Sequence, residues 1–234
     1  MNERIPNSTF FDIDQISNLS SDLPHMLPPK EQFEKQVGEL GINNDCNIFI
    51  YDTNGLSASR VYWMFKFFGH NQVSLIDGGF EGWKKEFPDQ IETSEPKKPI
   101  PTIYKANFNK NYIKNLQDVI ENIEKKEFEL IDARSSGRFK GIEPEPREGL
   151  PSGSIPNSKN IFFKDCFNED GTFKSKNELK KLFEENDVDL TKPITTSCGS
   201  GVTGCVLLTA LDIIGIEKKS LYDGSWTEYA SKKL

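Results

Sequence analysis

The sequence predicts an α/β fold made of two copies of one unit, each a mainly parallel sheet flanked by helices. Short apolar runs bounded by glycine or proline alternate with segments of helical spacing. Landmarks recur at matched distances: Ile5-Pro-Asn-Ser-Thr-Phe-Phe11 returns as Ile155-Pro-Asn-Ser-Lys-Asn-Ile-Phe-Phe163. Asp52 stands 25 residues before Asp77-Gly-Gly79, and Cys198 stands 25 residues before Asp223-Gly-Ser225, with Trp83 and Tyr229 six positions after those aspartates. Landmarks that share both identity and spacing are the signature of an internal repeat.

Taken in order, Ile5 to Asp14 reads as a strand entering a loop that ends at Pro24-His25-Met26-Leu27-Pro28. From Pro29 the spacing of Phe33, Val37 and Leu40, closed by Gly41, predicts a helix. Asn47 to Asp52 is a strand of buried type, Ala58 to Phe68 a helix closed by Gly69, and Val73 to Gly79 a strand and turn. Pro88, Pro96, Pro99 and Pro101 mark residues 88–110 as a linker or an extended arm packed on a domain. Asn115 to Lys126 is a helix with Leu116, Val119, Ile120 and Ile123 on one face, and Phe128 to Asp132 is a strand. An arginine-bearing polar segment, 133–153, follows. Pro193 to Thr196 is extended, and Val202, Val206, Leu207 and Leu211 predict a helix ended by Gly215. The expected domains are therefore 1–87 and 111–234, joined by 88–110.

Between that last strand and helix lies Thr196-Ser-Cys198-Gly-Ser-Gly-Val-Thr-Gly204. Glycines flanking Ser200 let the backbone curl with its N–H groups inward, at the positive end of the following helix. A thiol is a weak nucleophile until it ionises, and a free cysteine titrates at about 8.5. Holding a thiolate near neutral pH takes roughly two units, about 2.7 kcal/mol. One helix end gives only about 0.3 to 1 kcal/mol, so converging N–H donors must supply the rest. A lone cysteine after a strand is ordinarily core packing; the glycine pattern is what marks Cys198 as a nucleophile. A cysteine phosphatase of this shape needs an arginine six positions on, where this chain has Gly204. The first copy carries Asp52 at the nucleophile position, so one domain is catalytic and the other is not.

Composition sets outer bounds. The chain has 234 residues, 35% hydrophobic and 28% charged, as in an ordinary globular protein. Its net charge of −7 does not favour nucleic acid or anions, so an anionic substrate needs local arginines. Cys46, Cys166, Cys198 and Cys205 have neither metal-ligand spacing nor disulfide-scaffold density, and Cys205 is expected to be core packing. No apolar run reaches membrane-spanning length and the first residues hold no secretory-signal stretch, so a cytoplasmic protein is expected.

The loop Cys198-Gly-Ser-Gly-Val-Thr-Gly204 resembles the active-site loop of the 3-mercaptopyruvate sulfurtransferase branch of the tandem-domain rhodanese superfamily. Thiosulfate-using relatives typically carry basic residues there, where this chain has neutral Gly199 and Ser200. The resemblance covers nearly the whole chain and implies two tandem rhodanese-like domains with the active site in the cleft between them. It implies that the Cys198 thiolate takes sulfur from 3-mercaptopyruvate and passes it to a thiol or thioredoxin-like acceptor, releasing pyruvate, with no metal or organic cofactor. Asp132-Ala-Arg-Ser-Ser-Gly-Arg138 to Arg147 resembles the segment that supplies two substrate-binding arginines, here Arg138 and Arg147. Arginine forks suit a planar 2-oxo acid. The alternative is that both arginines are solvated loop residues or pair with Glu143, Glu145 or Glu148, and Arg134 is expected in a structural ion pair. Gly199, Gly201, Val202 and Thr203 complete the substrate loop. Asp14, His25 and Ser200 fall where the family has a proposed proton relay, against which His25 is a loop residue satisfying backbone groups; His70 reads as a turn residue.

The second copy has a helix and a strand before its Ile-Pro-Asn-Ser, and the first starts four residues before its own. Judged against its repeat, the first domain lacks roughly 35 to 40 residues. A truncated or misassigned start is expected, with a rearranged or less stable first domain as the alternative. The rival functions are thiosulfate sulfurtransferase and a non-catalytic sulfur-carrier or protein-binding module.

Overall fold

Proline at the second position of Ile-Pro-Asn-Ser fixes φ, and asparagine at the third tolerates the left-handed region. Both copies fold accordingly in the computed structural model, which describes residues 3–53 and 55–232. Asn7 has φ 61° and Asn157 φ 64°. Ser8 Oγ donates to the Ile5 carbonyl at 2.5 Å, and Ser158 Oγ to that of Ile155 at 2.6 Å. The repeat read from spacing is thus repeated in atomic detail. The strand expected over Ile5 to Asp14 is replaced by this turn, leaving one antiparallel bridge from Arg4 to Glu92.

The chain divides into two units. The first comprises Met1–Ser20, Leu27–Asn109 and Glu169–Thr172. It contains α1 (Lys30–Glu39), β1 (Ile48–Ile50), α2 (Ala58–Phe67), β2 (Val73–Leu75) and α3 (Gly79–Glu86). β1 and β2 are parallel, with Ile48 opposite Val73 and Ile50 opposite Leu75. Phe33 from α1 stacks on Phe68 at 3.9 Å, and Phe65 and Tyr104 close the cluster edge-on. Tyr104 belongs to residues 88–109, which lie with this unit as an extended arm. Its backbone approaches α1 where Gly38 accepts the Thr102 N–H at 2.9 Å, and a Cβ on Gly38 would stand 2.5 Å from the Thr102 oxygen. Phe49, in the strand read as buried, is 68% exposed, whereas its repeat counterpart Thr195 is 1% exposed. Thr195 lies in a strand with a neighbour on each side, while β1 pairs only with β2 among the described residues.

The second unit comprises Ser21–Met26, Lys110–Asn168 and Phe173–Leu234. Its elements are β3 (Ile113–Lys114), α4 (Leu116–Lys125), β4 (Glu129–Asp132), α5 (Ser136–Phe139), β5 (Lys159–Asn160), α6 (Lys176–Glu185), β6 (Ile194–Ser197), α7 (Gly204–Ile214), β7 (Lys219–Tyr222) and α8 (Ser225–Ser231). The strands form one parallel sheet in the order β3-β7-β6-β4-β5. α4 begins where its sequence dictates: the Asn115 side chain accepts the Asp118 N–H at 3.0 Å and Asp118 accepts that of Asn115 at 2.8 Å. α7 starts at Gly204, two residues later than periodicity suggested, because Val202 and Thr203 still belong to the loop. Val206, Leu207, Leu208 and Leu211 are buried along it, each contributing about 1.5 to 3 kcal/mol. β6 is central, so its C-terminal end opens where parallel sheets hold their ligands. Cys198 is the next residue. No helix among the described residues is long and apolar enough to cross a membrane.

Candidate active site

Cys198 leaves β6 2% exposed, and Gly201 turns the loop with φ 76°. α8 holds the loop's outer side. The Trp226 N–H donates to the Cys198 carbonyl at 2.9 Å, and the Thr227 N–H donates to the Gly199 carbonyl at 3.1 Å. Thr227 Oγ1 adds a second donor to Gly199 at 2.6 Å. The Cys198 N–H donates to Ser225 Oγ at 3.1 Å, which itself donates to the Tyr222 carbonyl at 2.9 Å. These bonds hold Ser225 at φ 51°, a region in which side chains are strained.

The first unit uses the same frame for another purpose. Its Phe80 N–H donates to the Asp52 carbonyl at 2.9 Å, and Gly79 has φ 57° where the second unit has Ser225. The Asp52 carboxylate accepts the N–H groups of Gly55, Ser57 and Ala58, each at 2.8 Å. This loop shape converges backbone donors on whatever stands at that position: a carboxylate in one unit, a thiol in the other. By repeat position the matching donors in the second unit are Gly201, Thr203 and Gly204. Val202 and Thr203 close the loop by accepting the N–H groups of Cys205 and Val206 at 3.1 Å.

Three arginines and two acids lie beside the thiol loop. Arg134, fully buried, bonds Asp132 at 2.6 Å and Glu145 at 2.6 Å, donates to the Gly153 carbonyl, and lies over Trp226 at 4.5 Å. Burial alone would lower the Arg134 pKa, but hydrogen bonds and charge from Asp132 and Glu145 hold it above the usual range. Arg138 donates to the same Glu145 through Nη2 at 2.5 Å and Nε at 3.1 Å. Burial alone would raise Glu145; Arg138 and Arg134 more than offset that and hold it below the usual carboxylate range. Glu143 accepts from Ser135 instead. Arg147 is half-buried and forms no ion pair among the described residues, so it supplies the group's net positive charge. A Cβ on Gly199 would stand 3.1 Å from Arg138 Nη2 and 3.6 Å from Arg147 Nη1. The absent side chain leaves room for the Arg138 guanidinium against the loop, with the Arg147 guanidinium at van der Waals distance from the same point.

His25, in the left-handed region at φ 59°, belongs with the second unit, and its Nδ1 shares a hydrogen bond with Ser200 Oγ at 3.0 Å. Those two residues are 175 positions apart in sequence. Asp14 is an exposed residue of the first unit, in a turn where its N–H donates to Asp12 and its carbonyl accepts from Ser17. Among the other cysteines, Cys205 is buried and donates to the Gly201 carbonyl at 3.2 Å, and burial pushes the Cys166 thiol up to about 12. His70 follows the turn that ends α2 and is buried there: it is 2% exposed, donates through Nε2 to the Cys46 carbonyl at 2.9 Å and stacks on Tyr104.

Sequence inspection missed Ser225, Trp226 and Thr227, and named Glu145 only as one of three glutamates that could pair with an arginine. The recurring Asp-Gly-Ser landmark flagged the first of these only as a spacing marker.

The sequence model of the Rhodanese-like domain matches residues 1–86 and 115–232. Human 3-mercaptopyruvate sulfurtransferase is 42% identical over 228 residues, covering 96% of this chain and 76% of that protein. Bovine thiosulfate sulfurtransferase is 42% identical over 233 residues, covering 98% and 78%. The crystal structure of SseA from Escherichia coli, described among 3-mercaptopyruvate sulfotransferases, superposes with a TM-score of 0.87 at 36% identity, covering 96% of this chain and 84% of that one. The repeated turn, the paired strand–loop–helix frames and these likenesses converge: the chain belongs to the rhodanese-like domain family.

Proposed function

We propose that this chain is a sulfurtransferase that takes sulfur from 3-mercaptopyruvate onto Cys198 and hands it to a thiol. The Cys198 thiolate attacks the substrate sulfur while the carbon–sulfur bond breaks. Its electron pair leaves as the enolate of pyruvate, which is protonated at carbon, and a persulfide remains on Cys198. An acceptor thiolate then attacks the outer sulfur and restores Cys198. Loop N–H groups stabilise the charged sulfur. Arg147 and Arg138 bind the carboxylate and neighbouring carbonyl, with Gly199, Gly201, Val202 and Thr203 shaping the loop around them. Ser200 and His25 carry the proton. Asp14 is kept as the relay's carboxylate on the family resemblance alone.

Relatives named for the two donors match this chain equally well, so identity does not choose between them. The observation that carries the proposal is the approach of two guanidiniums to Gly199, which carries no side chain of its own. A basic side chain at that position, usual in the thiosulfate branch, would meet both arginines at like charge. The test is the ratio of kcat/KM for 3-mercaptopyruvate over thiosulfate. A ratio well above one supports the proposal, and a ratio below one favours the thiosulfate reading.

The four cysteines are thiols rather than disulfides, which suits a reducing compartment, so we place the protein in the cytoplasm. A thioredoxin-like dithiol is the proposed acceptor. We place the functional division at residues 1–87, 88–110 and 111–234, with Cys198, Ser200, Arg138 and Arg147 in the last segment and the relay residues His25 and Asp14 in the first.

A further inference from the structure

A trans peptide sets its C=O and N–H antiparallel, so anchoring one fixes the direction of the other. The peptides on either side of Gly199 are both anchored on α8 through their carbonyl oxygens. Trp226 takes the Cys198 carbonyl with one backbone N–H at 2.9 Å. The Gly199 carbonyl receives two donors from one residue, the Thr227 N–H at 3.1 Å and Thr227 Oγ1 at 2.6 Å. The Ser200 N–H therefore points away from α8, into the curl of the loop. Gly199 has no side chain to resist rotation of this peptide. The shorter bond, from a buried hydroxyl, is what holds it.

We propose that Thr227 is a positioning residue for sulfur transfer: its hydroxyl locks the Gly199 carbonyl outward so that the Ser200 N–H faces the Cys198 sulfur. This rests on the sulfurtransferase reading given above. Thr227 itself touches neither sulfur nor substrate and acts through the peptide it fixes. Valine has nearly the shape of threonine without the hydroxyl, and serine keeps the hydroxyl without the methyl.

Two measurements on the full chain test it. Steady-state turnover of 3-mercaptopyruvate is expected to lose about tenfold in kcat in Thr227→Val, with KM moved less than about twofold, because a misaimed donor weakens charge stabilisation and not carboxylate binding. Thr227→Ser is expected to return most of that loss. The alkylation rate of Cys198 by iodoacetamide at pH 7, which needs no sulfur donor, is expected to fall in Thr227→Val and recover in Thr227→Ser. Equal kcat in Thr227→Val and the parent would overturn the proposal. So would equal losses in both variants, which would make the residue a packing element. Should the parent fail to use either donor, the sulfurtransferase reading falls, and the alkylation rates still decide whether Thr227 sets the thiol's surroundings.

Discussion

The Asp52 carboxylate accepts the backbone N–H of Ala58 at 2.8 Å, at the position where the second unit has Cys198 and Gly204. One loop design therefore binds a fixed internal anion in the first unit and surrounds a reactive sulfur in the second. Asp52→Ala strips the acceptor from three backbone donors, which is expected to destabilise the first unit by about 1 to 3 kcal/mol. Urea unfolding followed by tryptophan fluorescence measures it. An unchanged midpoint would mean that water replaces the carboxylate at no cost.

Among the described residues Arg147 is the guanidinium of the group without an acidic partner, while Arg138 shares Glu145 with Arg134. Arg147→Gln is expected to raise KM for 3-mercaptopyruvate by about 10- to 100-fold, from the loss of one charged fork worth about 1.5 to 3 kcal/mol. Arg147→Lys recovers only part, since an ammonium cannot make the paired bond. Initial-rate kinetics on both variants distinguishes these outcomes.

Gly199→Arg places a third cation where Arg138 Nη2 and Arg147 Nη1 now lie within 3.6 Å of the missing Cβ. The arginines are displaced, and KM for 3-mercaptopyruvate is expected to rise at least about tenfold, or 1.4 kcal/mol. An unchanged KM would remove the steric basis of the donor preference proposed here.

Glu145 holds two arginines at once. Glu145→Gln leaves both short of charge in a buried site and is expected to cost about 3 to 5 kcal/mol of unfolding free energy. Because its folded pKa lies below its ordinary 4.5, its contribution is complete above that value and is lost as pH falls below it. The gap in stability between the parent and Glu145→Gln is therefore expected to be full at pH 7 and to shrink below pH 4.5, as read by urea unfolding at several pH values.

Cys166 is expected to stay unlabelled by iodoacetamide at pH 8 in the folded protein and to react in urea. Its thiol, pushed up to about 12 by burial, carries almost no thiolate there. Peptide mass mapping after alkylation reads this directly.

The repeat, the thiol loop and the helices with strong periodicity were legible because identity and spacing carry them. Ile-Pro-Asn-Ser announces its own turn, and Asn115 with Asp118 its own helix start. Other features depend on which surface a segment meets, and sequence neighbours do not say. His25 follows the first unit's opening residues yet belongs with the second, where it finds Ser200. Phe49 sits in a run of apolar residues that reads as buried, but burial needs a neighbour on each side of the strand. Glu145 looked like one of three glutamates in a charged loop, and only the fold singles it out as the acid that two arginines share. The anchoring of the loop on α8 passes mainly through backbone carbonyls, which leave no mark on residue identity.

The most direct measurement is the intact mass of the protein after brief incubation with 3-mercaptopyruvate, beside Cys198→Ser treated alike. A gain of one sulfur atom in the parent, absent from the variant, is the predicted result. A folded parent that gains no sulfur, or a variant that gains it equally, contradicts the assignment of Cys198 as the sulfur-carrying nucleophile.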